Sequence, residues 1–187
     1  MIDFKIYMVS NDTLNNSAIR DITQAERDRL VCYAVNPDKP KFFQANLNRV
    51  NEWELPWYRP GYQMTQYYEY GSLVHITQNN ELLKGLSHVG LMHYDMYFPE
   101  NSVNDIQQEL EREPNQILYV VRRKDNLYFT FSQLRNVCHY LDSKPHIHSN
   151  PDRITEEGWI SEALSVTPVD VFKRFGRFID ENKSALS

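Results

Sequence analysis

The chain is short of cysteine, has no long apolar run and carries no basic surplus. Each shortage excludes a class of protein. Its 187 residues include two cysteines, Cys32 and Cys138. They lie far apart and make neither a CxxC metal clip nor the dense framework of a disulfide-stapled domain. A reducing, cytosolic setting is the expectation. A membrane span needs about 18 or more consecutive apolar residues. No run here approaches that, and mean hydropathy is -0.61. The opening MIDFKIYMVSND has no basic stretch followed by an apolar core, so no signal peptide is expected. A formal net charge of -5 leaves no general excess of cations for a nucleic-acid backbone, so no nucleic-acid partner is expected. GxGxxG and GxxxxGK[ST] are both missing, which removes support for dehydrogenase and P-loop readings. No GxSxG elbow is present, and Cys138 falls in a helical pattern, so nucleophilic serine and cysteine chemistry is weakly supported.

What is present is an ordinary globular composition. Apolar residues make up 41% and charged residues 24%, and a chain of this length buries roughly two thirds of its unfolded surface without a metal or disulfide staple. Aromatic residues reach 13%, with 12 tyrosines. Tyrosine offers a stacking face and a hydroxyl partner, which suits a polar, ring-shaped ligand.

Apolar runs predict strands over Phe4 to Val9, Leu30 to Val35, Leu86 to Tyr94 and Ile117 to Val121, each closed by polar or turn-forming residues. Pro37, Pro40, Pro56 and Pro60 predict an irregular stretch with short elements over residues 36–60. Met64, Tyr67, Tyr68, Gly71, Val74 and His75 recur at helical spacing, predicting a helix over residues 61–77. Ser102 followed by Asp105 predicts a capped helix start, with Val103, Ile106 and Leu110 on its inner stripe. Leu127 to Thr130 is an edge-strand candidate, and Phe131 to Leu141 a helix. Thr167 as cap and Pro168 at the first helical position predict a final helix, with Val169, Phe172, Gly176 and Ile179 inward. Strands alternating with helices imply an α/β domain with a mixed, mostly parallel central sheet flanked by helices. Ligands of such sheets bind beyond the carboxyl ends of strands where strand order reverses. The segments after Val9 and after Met92 are therefore the first places to look.

The second of these is Gly90-Leu91-Met92-His93-Tyr94-Asp95-Met96-Tyr97-Phe98. Residues i and i+2 of an extended chain point to one side, so His93 and Asp95 bring an imidazole and a carboxylate to one point. That pair suits Mn²⁺ or Mg²⁺, an ion that completes its shell with water and substrate phosphates. The same spacing also fits a turn in which Asp95 caps nearby amides and His93 is a core residue.

The stretch from Tyr67 to Phe98, YYEYGSLVHITQNNELLKGLSHVGLMHYDMYF, resembles the core of a glycosyltransferase-type family. Its pattern is a helix carrying a glutamate, a linker and an apolar strand ending in a VGxxHYxxYF signature. Residues Arg174 to Glu181 resemble the closing helix of the same group. The HYDMYF variant is similar to the catalytic domain of chlorovirus-encoded glycosyltransferases. The resemblance covers the middle and C-terminal thirds, and it implies a single GT-A-like, Rossmann-like domain over residues 1–187. The polar tail Asn182 to Ser187 adds the expectation of a piece cut from a longer multidomain enzyme. It implies a UDP-sugar donor, a glycan acceptor, and a cytoplasmic location, the host cytoplasm for a viral enzyme. It leans towards retention of anomeric configuration.

On this resemblance, His93, Tyr94 and Asp95 stand where GT-A enzymes have an Asp-x-Asp metal motif. Asp95 matches the direct metal ligand. His93 departs from the first aspartate, and a ribose hydroxyl, the metal or neither remain open as its partner. Val9, Ser10, Asn11 and Asp12 match the loop that holds the nucleoside. Glu69 matches the helix glutamate, as a sugar or ribose contact or as a solvated or capping group. GT-A enzymes often recruit a late histidine to the ion, which makes His146 and His148 candidates beside their reading as exposed loop residues. An inverting transferase needs a general base. Asp180 is suggested by the closing helix, and Glu162 by its position after the apolar Trp159 and Ile160. Glu156 and Glu157 are also available, each being a surface carboxylate by default.

Overall fold

The computed structural model describes residues 2–10, 19, 21–37, 47–62, 68–93, 98, 100–122 and 159–186. The chain divides into two compact units, Met1–Leu118 with Ala163–Ser187, and Tyr119–Glu162. The described strands are β1 (Phe4–Ser10), β2 (Leu30–Ala34), β3 (Asn48–Asn51), β4 (His88–His93), β5 (Leu118–Arg122) and β6 (Trp159–Pro168). The described helices are α1 (Gln24–Arg27), α2 (Tyr68–Gln78), α3 (Ser102–Arg112) and α4 (Val169–Leu186), with short 3-10 turns at Glu52–Glu54, Pro60–Tyr62 and Asn80–Leu83. The second unit takes in β5 after its first residue and β6 as far as Glu162.

In the larger unit the strands run β3-β2-β1-β4-β6. The first four are parallel, and β6 is antiparallel to β4, with Leu91 opposite Ser165 and His88 opposite Pro168. The fold is therefore α/β with a mixed, mostly parallel sheet, as the alternation of elements implied. Successive side chains of a strand point to opposite faces. On one face Tyr7, Val9, Val31, Tyr33, Val89 and Leu91 pack with Leu73, Val74 and Ile76 of α2 and Phe172 and Ile179 of α4. On the other, Phe4, Ile6, Met8, Leu30, Cys32 and Met92 are also buried. A sheet covered on both sides explains why these strands read as continuous apolar runs. The His88 imidazole lies 2.9 Å from the Pro114 carbonyl oxygen, which ties the segment after α3 to that second face.

Several local expectations are corrected. Ser102 is the first residue of α3, not its cap. Asn101 precedes it with φ 66° and gives no side-chain cap. The buried carboxylate of Glu26 faces the Val103 and Asn104 amides instead. Glu26 belongs to the capping box of α1, where its Oε2 accepts from Thr23 N and Oγ1 at 2.9 Å. The capping carboxylate of α1 thus also stands near the start of α3, a placement no local pattern announces. Thr167 and Pro168 do not open the last helix. Both lie in β6, where Thr167 pairs with Val89, and α4 starts at Val169. Pro168 ends the strand, a position that does not interrupt a ladder. Of the helix expected over residues 61–77, Gly61 falls in the 3-10 turn Pro60–Tyr62, residues 63–67 lie outside the described residues, and Tyr68–Gln78 is helical. The stretch over residues 36–60 contains β3, a fourth parallel strand. The elements expected over residues 127–141 lie outside the described residues.

Candidate active site

The strand order reverses at β1. From β1 the chain passes to β2 and β3 on one side, then returns to β4 on the other. This is the kind of point where an open α/β sheet leaves a crevice beyond its carboxyl edge. The register brings the two strand ends level, with Val9 opposite His93. Ser10 closes β1 with its carbonyl accepting from Val35 N at 3.0 Å. The Val9 side chain belongs to the core and that of Ser10 is buried. The side chains at the end of β1 are therefore occupied within the fold. Asn11 and Asp12 continue from it, and Tyr94 and Asp95 continue from β4; all four lie outside the described residues.

The α2 helix feeds through Asn80–Leu83 into the amino end of β4, so its first turn stands towards the carboxyl edge. Glu69 is its second residue. His93 is the last residue of β4. Glu162 lies in β6 and belongs to the second unit. His146 and His148 lie outside the described residues. Among the described residues no group of three or more His, Cys, Asp or Glu side chains converges to hold a metal ion, and no helix is long and apolar enough to cross a membrane.

The Asp180 carboxylate on α4 accepts a hydrogen bond from the Tyr62 hydroxyl and lies 3.9 Å from the Arg59 guanidinium. Burial, then the hydrogen-bonded Asp180 carboxylate and its charge, push the Tyr62 phenol up to about 12. The structure thus shows Asp180 tying α4 to the turn before α2.

Sequence reasoning missed a buried polar network beside this tie. Glu52, directly after β3, places Oε1 2.8 Å from His75 Nδ1, with both side chains at most 1% exposed. The Arg59 backbone N–H donates to His75 Nε2 at 3.0 Å. An amide nitrogen can only donate, so Nε2 is the acceptor of that bond. The rings of Trp57, Tyr58 and Tyr62 surround the imidazole at centroid distances of 6.0, 5.3 and 5.6 Å. Burial and the Glu52 carboxylate drive the Tyr33 phenol well above its ordinary value and raise that of Tyr58. Asn79 completes the attachment. Its Oδ1 accepts from Trp57 N and its Nδ2 donates to Trp57 O, both at 3.2 Å. Residues 52–62 are thereby strapped to α2. His75 gave a partial signal, a polar residue within an apolar helical stripe. Glu52 gave none.

No family model and no curated protein matches the chain. Solved structures with a similar arrangement include core-mannan synthase A from Aspergillus fumigatus in its manganese- and GDP-bound form. It is 11% identical, with a TM-score of 0.43 over 99% of this chain and 65% of that one. Mouse xyloside xylosyltransferase 1 in its apo form is 12% identical, with a TM-score of 0.45 over 97% of this chain and 72% of that one. The chain thus spans just under two thirds of the mannan synthase.

Proposed function

We propose that the chain is a metal-dependent glycosyltransferase domain of GT-A type, moving a sugar from a nucleoside diphosphate sugar, a UDP-sugar by preference, to a glycan acceptor. The supporting observation is the reversal of strand order between β1 and β4 with level strand ends. It makes Asn11 and Asp12 leave one strand beside the strand from which Tyr94 and Asp95 leave. In this reading Asp95 holds Mn²⁺ or Mg²⁺, with His93 or a late histidine, His146 or His148, as a further ligand. A carboxylate with an imidazole is a donor set that suits Mn²⁺ and leaves positions for phosphate oxygens. When bound, the ion supplies Lewis-acid stabilisation of the departing diphosphate. Ser10, Asn11 and Asp12 carry the chain past the nucleoside, and Glu69 meets the ribose or the sugar from the start of α2. The reading is of a retaining enzyme, which needs no protein base. The inverting alternative calls on Asp180 or Glu162. A cytoplasmic location belongs to the same proposal.

A second reading, a non-catalytic nucleotide- or glycan-binding module, is favoured by one feature: His93 stands where the first aspartate of the metal motif is expected. Calorimetry with UDP, with and without Mn²⁺, followed by a UDP-sugar hydrolysis assay, separates the two. The transferase predicts Mn²⁺-dependent UDP binding and sugar release, both lost in Asp95→Ala with the circular dichroism spectrum kept. UDP binding without sugar release selects the module. Full metal-dependent turnover by Asp95→Ala would end the site assignment.

A further inference from the structure

The α4 helix has two apolar sides, and one of them faces solvent. Phe172, Gly176 and Ile179 face the core. The rotation of the helix is set at Gly176, where an added methyl would run into the Thr77 side chain of α2. With the helix held in that orientation, Phe175 and Phe178 point outward at 47% and 46% exposure, the large apolar side chains left exposed among the described residues. Val171 and Asn182 continue the same stripe at spacings of four and then three and four, the seam of a two-helix contact. Arg174 and Glu181, both exposed, stand seven residues apart along one flank of it.

We infer that the outer face of α4 is a two-fold self-association surface, on which Phe175 and Phe178 meet their counterparts in a second copy and Arg174 of each copy pairs with Glu181 of the other. Charge complementarity under two-fold symmetry favours a second copy as the occupant. In an antiparallel pair every contact occurs twice with its members exchanged. Phe175 then packs on Phe178, and flanking positions a heptad apart face each other with opposite charge. The same face is poorly matched to an anionic lipid surface. Arg174 already has Asp170 at 3.2 Å, Glu181 shares its flank, and the chain carries a net charge of -5. The exposed Arg174–Asp170 pair contributes little by itself and can be exchanged for the contact across the two-fold axis.

Sedimentation velocity on the full chain, from about 1 to 100 µM, is the test; the range spans the affinities of weak self-association. A monomer–dimer equilibrium is expected. Phe175→Ser with Phe178→Ser should remain monomeric while keeping its melting temperature. Arg174→Glu should weaken the dimer at least about tenfold, and Arg174→Glu combined with Glu181→Arg should restore it to within about threefold, since each reciprocal contact counts twice. A chain that stays monomeric at every concentration overturns the inference. So does a dimer indifferent to Arg174→Glu, or a monomer that instead co-sediments with phosphatidylglycerol vesicles through the two phenylalanines. None of these readouts depends on glycosyl transfer.

Discussion

His75 and Glu52 meet at 2.8 Å with neither side chain open to water. Residues from the end of β3 and the middle of α2 are thereby joined inside the protein, and the strap over residues 52–62 is closed by a polar contact. Removing one member of such a pair leaves the other buried without its partner, which typically costs 3–5 kcal/mol. His75→Ala should therefore destabilise the protein by about that amount in urea unfolding. Glu52→Gln keeps the size of the side chain and removes its charge, and should cost less than half as much. Equal losses for the two variants would mean that the charge of Glu52, rather than its packing, governs the contact.

Glu26 gives the chain a pH-dependent component of stability. Burial raises its pKa, but the Thr23 hydrogen bonds and the Val103 and Asn104 amides outweigh it and hold the carboxyl below its ordinary value of 4.5. A depressed folded-state value contributes stability above the unfolded-state value and loses it as pH falls through the folded one. Compared with Glu26→Gln, the wild-type chain should be the more stable near neutrality, by about 1–2 kcal/mol on capping energetics. The gap should close below pH 4.5. Denaturant unfolding of both proteins at a series of pH values measures it, and a gap that widened on acidification would have the wrong sign.

Gly176→Ala probes how closely α4 lies on α2. The new methyl would collide with Thr77, whose hydroxyl donates to the Leu73 carbonyl. Overpacking of this kind costs about 1–3 kcal/mol. Thr77→Ala makes room, so the double variant should recover part of the loss. A double-mutant cycle with a coupling below about 0.5 kcal/mol would show that the helices move apart freely instead.

Asp180 and Tyr62 separate a structural tie from a catalytic base. If Asp180 serves to tie α4 to the turn, Tyr62→Phe and Asp180→Ala should cost similar stability, about 1–3 kcal/mol for a hydrogen bond to a charged group. Neither should alter turnover more than about threefold. A drop of 10² or more confined to Asp180→Ala is the signature of a general base, and it would return Asp180 to the reacting centre of an inverting enzyme.

The expectations that held came from one-dimensional patterns with a direct physical meaning. Phe4 to Val9, Leu30 to Val35 and the described part of Leu86 to Tyr94, where β4 spans His88–His93, read as apolar runs because both faces of the sheet are covered. The inward stripe of Phe172, Gly176 and Ile179 was visible because a helix repeats its buried face every three or four residues. β6 leaves a weaker trace in the sequence: Leu164 and Val166 alternate with Ser165 and Thr167, a short period-two signal that follows a long polar stretch. The caps failed for a different reason. Ser102, and Thr167 with Pro168, satisfy the local pattern, but Glu26 reaches the start of α3 from 76 positions upstream, and pairing with β4 keeps Thr167 and Pro168 extended.

By itself, the amino-acid sequence determined which segments bury themselves, in which class of fold, and after which two strands a ligand would be sought. Burial follows the spacing of apolar side chains, and that spacing is a property of the chain alone. The tertiary structure decided the antiparallel β6, the level ends of Val9 and His93, the Glu52–His75 contact and the outward turn of Phe175 and Phe178. Each depends on which distant surfaces meet, and that is settled by the packing of the whole sheet and its helices.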